Sequence, residues 1–328
     1  MLFSGKKPKV HIMIKDHVIR FVVTTQPSLM AIKSYGERYL PPGVIREGKI
    51  IERETLFMIL LEIVNDYKLR GLNVFFCVPD DHVVIRKMTI PSDIPEDEIK
   101  GYIYLEMGET IHLPFDDPQF DFSICNKSDA GTDIIMIASS GKMIEEYADV
   151  LKETKLKPVV ADISSLSLYR LLEELQILKL NEHMMLIQID IRSINVTIFH
   201  EDIPLFTRHQ RLNLDHELWE VVKDDRSHQT LKWMGQIEEI DGQIQEVITE
   251  LDRMMSFYRF SVNQGRAGVT KILLSGDNPE LPRIANLIKA AIEIPVEEIP
   301  SSTAKTKTGK ELPIRFHEVV GLSLKKQI

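Results

Sequence analysis

The chain has 328 residues, 44% hydrophobic and 27% charged, with a formal net charge of -9. That length holds two domains or one bilobal fold with a large core, and a negative balance without a Lys/Arg-rich face argues against a nucleic-acid binder. No apolar run approaches the ~20 residues of a membrane-spanning helix, and the two distant cysteines, Cys77 and Cys125, lack metal-ligand spacing and fit packing residues in a reducing cytoplasm.

The first residues, Met1-Leu-Phe-Ser-Gly-Lys-Lys-Pro-Lys9, lack the apolar core of a signal peptide, so a soluble chain is expected. They read either as a frayed start or as a basic segment that brushes an anionic membrane surface. Segments 10–14, 18–25 and 29–35 are rich in β-branched and apolar residues and form a three-strand meander, its first turn being Lys15-Asp16-His17. Over 52–68, Leu56, Ile59, Leu60, Ile63, Val64 and Tyr67 fall at helical spacing, as on a helix lying on a sheet. Residues 73–78 are a continuous apolar strand closed by Pro79, the pattern of a strand buried on both faces.

Residues 81–150 break this rhythm. A strand at 82–90, a helix opened by Pro95-Glu-Asp-Glu98, strands at 120–125 and 133–139, and a helix over 141–152 read as a small inserted α+β subdomain. A strand at 159–161 resumes the first pattern, and a helix over 164–178 crosses out of the lobe.

The order then restarts. Strands at 184–189, 194–200 and 203–211 are followed by a polar loop over 215–229. A long helix carries Ile240, Ile244, Val247, Ile248, Leu251, Met254, Met255 and Tyr258 as one stripe. Strand 271–274, helix 281–292, strand 296–299, a polar loop over 301–310 and a helix over 317–325 close the chain. Two copies of meander, helix, strand, helix, strand mark an internal duplication. The domains expected are a first lobe of 1–80 plus 151–180, an insert of 81–150, and a second lobe of 181–328.

Two duplicated meander-first α/β lobes joined by a helix resemble the actin, Hsp70 and sugar-kinase superfamily, whose RNase H-like lobes hold ATP between them. The fold class expected is therefore α/β, with duplicated actin-like lobes and a small α+β subdomain inserted in the first. Several segments in order sharpen this: Leu40-Pro-Pro-Gly-Val-Ile-Arg-Glu-Gly-Lys-Ile50, Val78-Pro-Asp-Asp-His-Val-Val-Ile-Arg-Lys-Met-Thr-Ile-Pro91, and Tyr104-Leu-Glu-Met-Gly-Glu-Thr-Ile-His-Leu-Pro-Phe-Asp116. Asp202-Ile-Pro-Leu-Phe-Thr-Arg208, Ser256-Phe-Tyr-Arg259 and Leu273-Leu-Ser-Gly-Asp-Asn-Pro-Glu-Leu281 follow. Together they resemble the PilM family of type IV pilus assembly proteins over nearly the whole chain. The resemblance implies an FtsA-like cytoplasmic scaffold, recruited to the inner face of the membrane by gripping the short cytoplasmic tail of a single-span PilN-like protein. It also implies contact with other proteins of the pilus machine, and self-association.

In this fold one hairpin turn per lobe points backbone N–H groups at the phosphates, and glycine permits that approach. The family pattern in the first lobe, Asp-Ile-Gly-Ser, is here Met13-Ile14-Lys15-Asp16. Methionine offers no oxygen to Mg²⁺. In the second lobe Asp190 and Ser193 remain, with Arg192 at the glycine, and Ser275-Gly276 keeps one glycine of the adenosine turn. The resemblance thus makes Asp190, Ser193, Ser275 and Gly276 the candidate nucleotide residues. Losing about three charge-assisted contacts costs on the order of 4–9 kcal/mol, which turns a micromolar site into a millimolar one or worse. Arg192 and Lys15 restore part of the attraction to phosphate but not the metal. The expectation is no catalytic ATP hydrolysis and no required cofactor, with ATP and Mg²⁺ at most weak ligands. Asp190 keeps a second reading, a turn acid that caps its own backbone.

For the partner, Met88 and Ile90 on the strand at 82–90, with Ile103 and Met107 on the helix that follows, offer two walls for an extended apolar tail. The same residues also read as the insert's own core. No metalloprotease, Cys-x-x-Cys, nucleophile-elbow or Walker motif occurs in a strand-to-helix context. His216 and His228 share a loop without a third ligand, and Asp116-Asp117 and Asp224-Asp225 read as turn acids. The competing functional reading is a working actin-like ATPase that polymerises; a sugar or acyl kinase lacks a recognisable catalytic acid.

Overall fold

A computed structural model of the chain describes residues 7–179, 181–223, 229–300 and 304–326. The acids Asp224 and Asp225, His228, the first six residues and the start of the 301–310 loop lie outside the described residues.

The first lobe opens with β1 (Lys9–Lys15), β2 (Val18–Thr24) and β3 (Ile32–Tyr39). The hairpin β4 (Ile45–Arg46) and β5 (Lys49–Ile50), helix α1 (Arg53–Asp66) and β6 (Asn73–Cys77) follow. The insert holds β7 (Val83–Ile90), α2 (Ile99–Glu106), β8 (Pro118–Ser128) and β9 (Gly131–Ser140). The lobe then closes with α3 (Gly141–Glu153), β10 (Lys157–Asp162) and α4 (Ser164–Glu174).

The second lobe runs β11 (Met184–Ile189), β12 (Ser193–His200) and β13 (Ile203–Arg211), then the hairpin β14 (Trp219–Lys223) and β15 (Gln229–Trp233). It continues with α5 (Ile237–Phe257), β16 (Lys271–Gly276), α6 (Leu281–Ala291), β17 (Val296–Glu298) and α7 (His317–Ser323).

The two five-stranded sheets have matching orders, β3-β2-β1-β6-β10 and β13-β12-β11-β16-β17. In each, the first strand is antiparallel to the second and parallel to the fourth. The duplication read from element order is thus a duplication of topology.

Alternation along the strands divides each sheet's faces. Val10, Ile12 and Ile14 of β1 pack with Leu56, Leu60 and Ile63 of α1 and Met143, Tyr147 and Val150 of α3. Met185, Ile187 and Ile189 of β11 pack with α5 and α6. The opposite faces meet between the lobes, where Met13, Phe75 and Cys77 from one sheet and Met184, Leu186 and Leu273 from the other enclose Leu168 and Leu171 of α4 and Val319 and Val320 of α7. The order of layers is two helices, sheet, two helices, sheet, two helices. At the crossing of the central helices a Cβ on Gly321 would lie 1.9 Å from the carbonyl oxygen of Ser167, so only glycine permits this approach.

Three expectations change. The helix over 141–152 belongs with the first lobe and not with the insert: α3 buries Met143, Tyr147, Val150 and Leu151 in the first lobe's core, while the insert's core is a separate cluster around Ile90, Ile99, Ile103, Ile134 and Met136. The polar loop over 215–229 contains β14, which pairs with β15 so that Trp219 faces Trp233. A short strand with alternating charges has too little apolar signal to stand out, and only pairing reveals it. The helix expected over 164–178 ends at Glu174, where Gln176 turns to a positive φ of 56°. Cys77 and Cys125 are free thiols.

Candidate functional site

The parallel strands of both sheets end at one cleft of about 390 Å³ between the lobes. The turn after β1 brings Lys15, Asp16 and His17 to one wall, and the turn between β11 and β12 brings Asp190, Arg192 and Ser193 to the other. Asp80 and Asp81, just past β6, and Ser164, the first residue of α4, also line it.

Lys15 is the centre of this arrangement. Its ammonium lies 2.9 Å from Glu318 Oε2, 3.8 Å from Asp190 Oδ2 and 4.0 Å from Asp277 Oδ2. Burial alone would lower its pKa, but the charges of Asp277, Glu318 and Asp190 outweigh burial and raise it, so the side chain stays an ammonium. Glu318 is fixed in turn by Gln188, whose Nε2 donates to Oε1 at 2.8 Å. Met13, at the family's acid position, is buried and packs among the apolar residues between the lobes.

A second group of charges crosses the lobes deeper in. His17 Nε2 lies 3.0 Å from Asp277 Oδ2, and Arg20 Nη1 donates to the same oxygen. Arg20 Nε also donates to Glu37 at 3.0 Å, and Glu37 accepts from Arg315 at 2.7 Å. Burial works against the Asp277 anion, but Lys15, His17 and Arg20 hold its carboxyl well below the usual range. At the rim Arg211 of β13 donates to Asp81 at 2.6 Å and pairs with Glu47, Arg192 lies 3.7 Å from Asp16, and His209 lies 3.4 Å from Asp81. Every one of these rim pairs joins the first lobe to the second.

The candidate nucleotide residues fall in one corner of the second lobe, but only two reach the cleft. Asp190 Oδ1 accepts from the backbone N–H groups of Arg192 at 2.7 Å and Ser193 at 2.6 Å, and the Ser193 hydroxyl donates to Oδ2 at 3.2 Å. The carboxylate therefore caps its own turn, and the N–H groups that would face a phosphate already have an acceptor. Ser275 and Gly276 end β16, paired with Gln188 and Ile189 of β11. They are buried and do not line the cleft. The N–H groups of Asp277 and Asn278 donate to Ile189 O at 3.1 and 3.2 Å.

In the insert, Ile90 and Ile103 are fully buried in the subdomain's own core, so as placed they line no open groove. Met88 and Met107 are half-buried at the margin of that core, and α2 exposes Tyr104 and Leu105 just before Met107. The residues that sequence reasoning passed over are charges inside apolar elements. Arg20 stands within Val18-Ile-Arg-Phe-Val-Val23 and Glu318 within Phe316-His-Glu-Val-Val-Gly321, and a charge in an otherwise apolar strand or helix signals a buried partner.

The family described as type IV pilus assembly protein PilM matches residues 13–311. Comparison with curated proteins returns no match. Among solved structures, the PilM-PilN type IV pilus biogenesis complex is similar at 19% identity and a TM-score of 0.76, covering 97% of this chain and 98% of that one. The ethanolamine utilization protein EutJ from Carboxydothermus hydrogenoformans is similar at 10% identity and a TM-score of 0.52, covering 97% and 89%. At these identities the likeness is one of fold, with duplicated actin-like lobes.

Proposed function

The chain belongs to the PilM family of type IV pilus assembly proteins, and from that premise we propose that it is a scaffold which grips the cytoplasmic tail of a PilN-like inner-membrane protein and has no catalytic use for ATP. The solved complex of similar fold pairs such a protein with PilN. Recruitment by that tail places the chain at the inner face of the membrane, and no helix among the described residues is long and apolar enough to cross it.

The observation that carries the nucleotide part is Lys15. Its ammonium sits 3.8 Å from Asp190 and within 4.0 Å of Asp277 and Glu318, so a positive charge of the chain itself already stands beside the candidate nucleotide carboxylate. Met13 offers no oxygen. A magnesium ion entering here would meet a fixed positive charge in a poorly solvated site. Calorimetry of ATP with and without Mg²⁺ tests this: no binding, or weak binding indifferent to the metal, is expected, whereas tight metal-dependent binding would restore the ATPase reading.

For the tail, the surface we favour is the margin of the insert's core at Met88 and Met107. Apolar side chains left at a subdomain edge suit an extended apolar peptide. Capture of a PilN-like tail peptide should fall at least tenfold in Met88→Asp, since a charge must then be buried against the peptide; undiminished capture would move the docking site elsewhere.

A further inference from the structure

At the end of the first sheet opposite the cleft, the structure gathers cations that the overall charge of -9 conceals. Strands β1, β6 and β10 are parallel and start together, so Lys9 and Lys157 both pair with Asn73 and stand on either side of it. Lys7 and Lys325, the latter just past α7, join them around one cavity of about 520 Å³. Among the described residues, no acidic side chain lines it. The seven residues of β1 separate this edge from the cleft by about 20 Å.

Two neighbouring loops extend the charge. Lys68 and Arg70 precede β6 and Lys155 precedes β10, all three exposed, and the loops are tied by Gly71 N donating to Lys155 O at 2.7 Å and Lys157 N donating to Leu72 O at 2.9 Å. The acids of this region are engaged: Glu153 with Arg53, Asp66 with Arg38, and Asp162 with Arg170 and Lys325. Lys7 and Lys157 are exposed and have no ion-pair partner among the described residues. His11, at the back of the cavity, is held neutral by burial, which pushes its pKa down to about 3, so the lysines supply the charge.

Apolar residues accompany the cations. The loop Thr25-Gln-Pro27 forms one wall of the cavity and leads to Met30, which is 74% exposed. The sequence before Lys7 reads Met1-Leu-Phe-Ser-Gly-Lys6, three large apolar side chains and one more cation. Basic side chains interleaved with exposed apolar ones are the composition that holds a peripheral protein on an anionic bilayer. The distant negative charge of the protein is screened beyond about 10 Å at moderate salt, so the local patch decides the contact.

We propose that this sheet edge docks directly on an anionic phospholipid surface, with Lys7 and Lys157, flanked by the exposed Lys68, Arg70 and Lys155, over the headgroup phosphates and the cleft facing away from the bilayer. The contact is separate from the grip on a protein tail proposed above and does not depend on it. Sedimentation of the full chain with vesicles tests it. The protein should pellet with an equimolar mixture of phosphatidylcholine and phosphatidylglycerol, and not with phosphatidylcholine alone. Each lysine near the surface contributes about 1 kcal/mol, so Lys7→Ala with Lys157→Ala should lower the partition roughly thirtyfold. Both positions are exposed, and an unchanged melting curve confirms that the variant folds. Equal binding to neutral vesicles, undiminished binding by the double variant, or retention on polyglutamate with no vesicle binding would each overturn the proposal, the last in favour of an acidic protein partner. Capture of the PilN-like tail by the same double variant is expected to be unchanged, which separates failure here from failure of the tail reading.

Discussion

Lys15 Nζ lies 2.9 Å from Glu318 Oε2, joining the turn of the first hairpin to the last helix of the chain. Residues three hundred positions apart thereby close one cluster, in which a single ammonium faces Glu318, Asp190 and Asp277. Of the three, Glu318 depends on this charge most, because Asp277 is also paired with Arg20 and His17 and Asp190 is bonded within its own turn.

Lys15→Met is therefore expected to destabilise the protein by about 3–5 kcal/mol, the usual cost of stranding a buried charge. With the ammonium gone, Glu318 loses its ion-pair partner and Asp190 and Asp277 each lose a nearby positive charge. Urea unfolding of parent and variant checks this; a variant as stable as the parent would mean that the cluster contributes nothing.

Asp190 separates its two readings through substitution. As a cap on its own turn it accepts from Arg192 N, Ser193 N and the Ser193 hydroxyl, so Asp190→Ala should cost about 2–3 kcal/mol in the protein without any ligand. Asp190→Asn keeps a side-chain oxygen for the turn and should cost less than half as much. A group held only for a nucleotide would instead show no stability change on either substitution, as thermal melts of the two variants would reveal.

Gly276 is explained by packing alone. Its φ is +140°, and a Cβ there would lie 1.9 Å from Ile189 O in the adjacent strand. Gly276→Ala must push β16 away from β11 and break the N–H bonds that Asp277 and Asn278 make to that oxygen. A loss of about 3 kcal/mol or more is expected by denaturant unfolding. A near-neutral substitution would show that the turn relaxes freely and that this glycine serves a ligand.

The lobes were legible because their strands are saturated with signal. Val10, Ile12 and Ile14 alternate with His11 and Met13, and Leu56, Leu60, Ile63 and Val64 fall on one helical face, so local pattern and tertiary burial agree. The topology followed from repetition of element order. The cleft was legible only in part. Met13 and Lys15 were marked by comparison with the family pattern, but the partners of Lys15 lie 175 residues or more away in sequence, on turns and a helix that only folding brings together. Arg20 and Glu318 were visible as charges in apolar surroundings, a signal that announces a partner without naming it. In the insert, the alternation that proposed Ile90 and Ile103 as groove residues is also the mark of a buried strand and helix, and periodicity cannot tell an inner wall from an outer one.

Asp80 gives the cleft a pH dependence of defined sign. Burial, then the charge of Glu318, lift its pKa from 3.8 to about 6, while the Ser164 hydroxyl, which donates at 2.6 Å, pulls the other way. The folded protein therefore binds this proton more tightly than the unfolded chain does. The resulting stabilisation is fully present below 3.8 and is lost as the pH rises through about 6. Asp80→Asn cannot ionise and still offers an oxygen to Ser164, so it should exceed the parent in stability at about pH 8 and match it near pH 4. The shift would convert to nearly 3 kcal/mol if the carboxyl were wholly enclosed, but Asp80 lines the open cleft, and roughly 1–2 kcal/mol is expected. His11 and His317, held neutral by burial with pKa values pushed down to about 3 and about 4, weaken both proteins alike as the pH falls below 6.5. Their effect cancels in the comparison, so the difference belongs to Asp80 together with His209, whose pKa the charge of Asp80 helps to raise. Urea midpoints of parent and variant across this range check the prediction, and a difference that stays constant with pH would mean that Asp80 ionises at its ordinary value.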